Sequence, residues 1–121
     1  LGQLVRERHG AEGALLVGFF THRGAVRAAT AWGQPGQVRA VGPALPGSVS
    51  ALFHEAGVPA FLLVLRGEAA RPLSAPMLER AIGVVYMPQT ERQSHYFTAR
   101  PAPRFDVAVF VDETTPVVPL P

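Results

Sequence analysis

The 121-residue chain has no cysteine. It therefore carries no disulfide framework, no thiolate nucleophile and no cysteine-based zinc site. That absence fits a cytoplasmic protein, although many exported domains also do without cysteine. Lysine is missing as well: all 11 basic residues are arginines, set against 9 acidic residues for a net charge of +2. The arginines account for an isoelectric point of about 9.9, yet beyond the Arg6/Arg8 pair they are scattered along the chain. The footprint of a nucleic-acid-binding surface is thus not present. The longest apolar run, Ala60 to Leu65, is far too short to span a bilayer, so no membrane partner is expected. The chain opens LGQLVRER, with neither a methionine nor a signal peptide, on a pattern already amphipathic. Such an opening is expected of a fragment of something longer.

Chemical signatures are also scarce. There is no P-loop, no GxGxxG fingerprint and no GxSxG nucleophile elbow, so no cofactor is indicated. The four histidines, His9, His22, His54 and His95, never stand three or four residues apart. Neither an HxxH nor an HExxH metal arrangement exists, and no metal site is expected from spacing. His54 beside Glu55 reads as a surface or boundary pair on a helix, and His9 suits a helix end, where its charge opposes the dipole. Asp112-Glu113 reads as the cap of a strand.

What is present is enough apolar material for one modest domain: 48% hydrophobic residues and a mean hydropathy of +0.19. Leu1, Leu4 and Val5 recur at helical spacing, with Gly10 and Gly13 as stops. Ala14 to Phe20 is a buried strand candidate, Thr21 to Gly24 a polar turn, and Ala25 to Trp32 a weaker extended stretch. Gln37 to Val41 can return as a short strand after the Gly33–Gly36 turn. Ser48 is a natural N-cap for a helix over Val49 to Ala56, with Leu52, Phe53 and Ala56 on its apolar face and Gly57 at its end. Ala60 to Leu65 is apolar on both faces, the mark of a strand covered on both sides, as in parallel α/β sheets. Ser74 or Ala75 opens another short helix, with Pro76 in its first turn and Met77, Leu78 and Ala81 inward. Ile82 to Tyr86 and Phe105 to Val111 complete the strands, separated by the rigid Pro101–Pro103 connector. Strands alternating with helices imply parallel βαβ units, with the runs at 14–20, 60–65, 82–86 and 105–111 in one mostly parallel sheet.

After Pro88 comes a polar cluster, Gln89 to Tyr96, that would be costly to bury without partners. Such a cluster past the carboxyl end of a strand is where α/β sheets bind ligands. Thr21 and His22 also follow a buried strand, so the two groups are expected to converge. The substrate-pocket candidates are therefore Glu91, Arg92, His95, Tyr96, Thr21 and His22. Within the cluster, Arg92 could hold Glu91 through paired hydrogen bonds, and that carboxylate could orient His95 as an acid or base.

Taken in order, the stretches at Gly2–Arg8, Ala51–Glu55, Arg80–Val84, Thr90–Phe97 and Phe105-Asp106 with Asp112–Thr114 resemble the C-terminal part of the erythromycin esterase-like hydrolases, also labelled succinoglycan-biosynthesis-like. TERQSHYF is the most specific of them. The resemblance implies a three-layer α/β/α fold around a mixed, mostly parallel sheet, here the C-terminal portion of a larger domain, with residues 1–121 as one α/β segment. It also implies ester or lactone hydrolysis by water that a histidine activates, supported by glutamates. The family's His-Asn-x-His segment lies upstream of the matched region and has no counterpart here, so no catalytic residue carries over. The implied partners are the missing N-terminal portion of the same protein and a small-molecule ester substrate. The other reading is a non-catalytic α/β binding or structural module that uses the Glu91–Tyr96 loop.

Overall fold

The computed structural model describes residues 1–120. It is built from α1 (Gly2–His9), β1 (Val17–Ala28), β2 (Gln37–Val41), α2 (Val49–Glu55), β3 (Ala60–Val64), β4 (Met77–Arg80), α3 (Glu91–Ser94), β5 (Tyr96–Ala99), α4 (Pro101–Arg104) and β6 (Val107–Thr114). Two sheets form: one ordered β2-β1-β6-β3, the other the antiparallel pair β4-β5. The class is mixed α/β, with a mixed parallel and antiparallel sheet. The parallel pairing is narrower than the strand composition implies. β1 runs parallel to β6, from Val17 against Val107 to Gly24 against Thr114, while β2 and β3 join antiparallel.

Several expected elements take another form, each for a physical reason. Thr21 to Gly24 is not a turn but the middle of β1, and Ala25 to Ala28 continue the same strand. β6 runs alongside as far as Thr114 and supplies ladder partners through the polar residues. For the same reason Asp112 and Glu113 lie within β6 rather than past its end. Gly24 takes φ +129, and a Cβ there would run into the Thr114 carbonyl oxygen, so only glycine lets the backbones approach this closely. The helix expected after Ser74 is replaced by a 3-10 turn over Pro72–Ser74 and the strand β4. Pro76 pushes Ala75 into the extended region, at φ −77 and ψ 154, and the chain leaves it already extended. Ile82 to Tyr86 makes only an isolated bridge, Ala29 to Val85, because Gly83 has no side chain to pack and Pro88 cuts the segment short. Pro101 to Pro103 forms a helical turn, with Pro101 at a position where its missing N–H costs nothing.

The core lies on one face of the larger sheet. Phe20, Ala108 and Phe110 alternate inward from β1 and β6, and α2 lays Val49 and Phe53 over them. Phe53 meets Phe20, Phe61 and Phe110 edge-on, with ring centroids 5.5, 5.3 and 5.6 Å away. This geometry adds to the burial term. Ser48 Oγ accepts the Ala51 N–H at 3.2 Å and caps α2 as its residue type predicts. The opposite face is uncovered. Phe19 is 77% exposed, Leu62 63% and Val64 50%, with Val17 and Val111 beside them. α1 carries no buried residue and is tied to the residue just before β6 through Arg6, whose guanidinium lies 2.7 Å from Asp106 Oδ2. The Leu16 N–H donates to the same oxygen at 2.8 Å.

Phe110 is fully buried, so Phe110→Ala should cost about 3–5 kcal/mol, read as a lowered denaturant midpoint. The Leu16 N–H and the Arg6 guanidinium hold the Asp106 carboxyl below its ordinary value. A depressed folded-state pKa contributes stability above the unfolded value of about 3.9, which is lost as pH falls through the folded value. Asp106→Asn should therefore flatten the acid limb of a stability–pH curve below about pH 4.

Candidate functional site

Arg80 is the residue around which the polar groups gather. It ends β4, and its side chain is 2% exposed. A guanidinium cannot lose its charge, so burial obliges it to find acceptors. Its Nη1 donates to the His22 carbonyl at 2.9 Å, and its Nη2 donates to the Gly42 and Pro43 carbonyls at 3.0 Å each. The charge is met by Glu91, whose Oε1 lies 3.1 Å from Nε, off the line of a true hydrogen bond. Tyr86 donates its hydroxyl to Glu91 Oε1 at 2.8 Å. Burial, and then the Glu91 carboxylate, push the Tyr86 phenol well above its ordinary pKa, so it remains a donor. The Tyr96 ring lies 5.3 Å from the Arg80 guanidinium carbon, and its hydroxyl accepts the Leu45 N–H at 3.0 Å.

His95 is buried and closes the Met87–Ser94 loop. Its Nε2 accepts the Met87 N–H at 3.0 Å, which leaves Nδ1 to donate to the Ala81 carbonyl at 3.2 Å. Both ring nitrogens are thus engaged with main chain. Arg92 is exposed on α3 and outside this network. Thr21 and His22 leave β1 on opposite faces, as successive strand residues must. Thr21 lines an open cavity of about 370 Å³ together with Phe19, Arg27, Arg80 and Ile82. Glu91, Tyr96 and the His22 main chain are therefore brought together by Arg80, whereas the His22 side chain goes elsewhere.

It goes to a second cluster. His22 stacks face to face on His54, with centroids 3.8 Å apart and planes 4° from parallel. His54 Nδ1 in turn lies 2.6 Å from Asp112 Oδ1. Three elements build this cluster: His22 and Asp112 stand between the paired steps Thr21–Val111 and Arg23–Glu113 of the parallel strands β1 and β6, and α2 holds His54 over the same face. His22 is 8% exposed, and its Nδ1 is buried without a partner. Burial first, and then the neighbouring His54, lower the His22 pKa. The ligand-capable atoms of His22, His54 and Asp112 lie within 4.8 Å of one another, and these are the residues that could hold a metal. Sequence reading missed Arg80, Tyr86 and the joining of these three. Their separations along the chain are long, and the only signal was the strand register that sets His22 beside Asp112.

The fold and this arrangement define an α/β architecture with polar groups gathered toward the carboxyl end of the parallel pair β1–β6. The family model for erythromycin esterase matches residues 1–114, and the chain belongs to that family. A solved succinoglycan biosynthesis protein shares 20% identity at a TM-score of 0.74, covering 93% of this chain and 26% of its own. A Bacillus cereus protein of known structure shares 17% identity at 0.67, covering 93% and 27%. At these identities the likeness concerns the fold, and the chain spans about a quarter of the length of either protein. Among the described residues no helix is long and apolar enough to cross a membrane.

Arg80→Ala should cost about 3–5 kcal/mol, because it strands Glu91 and the buried His22 carbonyl and takes their donor from the Gly42 and Pro43 carbonyls, whereas Arg92→Ala should stay within about 0.5 kcal/mol. Chemical denaturation of the two variants makes the comparison.

Proposed function

We propose that this chain is the downstream portion of an ester- or lactone-hydrolysing domain, completed by a preceding segment of the same polypeptide that carries the catalytic histidine. The observation that carries this reading is the open sheet face. Phe19, Leu62 and Val64 present a contiguous apolar surface of strand residues larger in character than scattered surface hydrophobics. The run from Ala60 to Leu65 is apolar on both faces, as suits a strand covered on both sides, yet the described residues cover only one side. The solved proteins of like fold are about four times as long, which supplies enough chain to cover it. The hydrolytic chemistry rests on the family's name and on the resemblance in sequence. In this reading α2, β4 and the Arg80 network support the sheet from the covered side, and a small-molecule ester is the substrate.

The alternative, a binding module acting through Glu91–Tyr96, draws less support. Glu91 and the His95 ring already spend their polar atoms on internal partners, leaving few groups for recognition.

The 121-residue chain alone should not hydrolyse an activated aryl ester or a lactone, while a polypeptide extended upstream of Leu1 should. In the extended protein Leu62→Asp should cost about 3 kcal/mol or more, by placing a charge in a covered interface, but little in the short chain, where Leu62 is exposed. Turnover by the short chain, or equal effects of Leu62→Asp in both, would overturn the reading.

A further inference from the structure

We propose that His22, His54 and Asp112 form a binding site for a divalent transition-metal ion of the zinc class. Two imidazoles and a carboxylate are a donor set suited to zinc or cobalt rather than to magnesium or calcium, which take oxygen ligands. The donors come from β1, α2 and β6, and their ligand atoms lie within 4.8 Å of one another. Bonds of about 2.0–2.1 Å at a tetrahedral angle would set them about 3.3 Å apart, so closure needs movements near one ångström. The residue least able to move is His22, and it is the one already committed: nine-tenths buried, with Nδ1 enclosed and unpaired. An enclosed imidazole nitrogen with no partner is costly to keep, and a cation would satisfy it.

The mobile partner is His54. Its side chain is 47% exposed and that of Asp112 22%, at the edge of an open cavity of about 240 Å³ lined by Gly57, Val58 and Pro59. Parallel rings direct their in-plane lone pairs side by side, so coordination requires the His54 ring to tilt out of the stack. The cavity leaves room for that, and for water at a fourth position, the pattern of an ion with three protein ligands. The ion would displace the proton His54 and Asp112 now share. The charges facing His22 are Asp112, which favours a cation, and Arg80 and Arg23, which oppose it. Those arginines are already paired with Glu91 and Glu113. The site lies toward the carboxyl end of the parallel pair, where α/β sheets place their ligands. It is independent of the hydrolase reading.

The test is calorimetric titration of the full chain with Zn²⁺ and visible absorption on adding Co²⁺, with Mg²⁺ as control. One equivalent of Zn²⁺ should bind, Co²⁺ should show the intense bands of a four-coordinate ion, and Mg²⁺ should not compete. His54→Ala and Asp112→Asn, both at partly exposed side chains and checked for folding by circular dichroism, should each weaken Zn²⁺ binding by about 100-fold or more, beyond what an outer-shell change does. His9→Ala should leave it unchanged. Absence of saturable Zn²⁺ binding, or binding indifferent to both His54→Ala and Asp112→Asn, would overturn the proposal and leave an ordinary imidazole–carboxylate hydrogen bond.

Discussion

A single buried guanidinium governs how the two sheets of this protein meet. Arg80 must be satisfied where it lies, since its charge cannot be titrated away and its desolvation would cost several kcal/mol if unmet. Its acceptors come from three separate stretches: His22 in β1, Gly42 and Pro43 beyond β2, and Glu91 at the start of α3. Satisfying one side chain therefore fixes the end of β4, the middle of β1 and the loop leading into β5 in one arrangement. Tyr86 and Tyr96 complete the enclosure, the first through its hydroxyl and the second through its ring face.

The parallel pair β1–β6 is the other organising feature, because strand register decides which side chains face each other. Setting Phe20 against Phe110 carries the core onto one face, and two residues further along the same register sets His22 beside Asp112. The apolar core and the polar cluster are thus successive steps along one face. α2 covers both, with Phe53 over the phenylalanines and His54 over the histidine–aspartate step. The reverse face, bearing Phe19 and Leu62, has no such cover among the described residues.

Much of the architecture was legible in local chemistry. The Ser48 cap, the helix it opens and the strands at 60–64 and 107–111 follow from side-chain periodicity and capping, which act over a few residues. The readings that failed depended on distant neighbours. Thr21 to Gly24 is polar enough for a turn, but a parallel partner ninety residues away keeps it extended. Met77 to Arg80 has helical formers, but Pro76 and the pairing with β5 hold it as a strand. Ile82 to Tyr86 has strand composition, but it finds a partner at only one bridge.

What the sequence by itself determined is the family, the α/β class, the absence of thiol chemistry and the presence of a polar group after Pro88. Those properties reside in composition, in short-range pattern and in the motif TERQSHYF. Only the tertiary structure decided which polar groups meet. It closed the His95 ring onto main chain, gave Glu91 to Arg80 rather than to its neighbour Arg92, and joined His22 to His54 and Asp112 across 32 and 90 positions. The physical reason is that hydrogen bonds and ion pairs act over a few ångströms of space, and the chain brings residues that close only after the sheet register has been set.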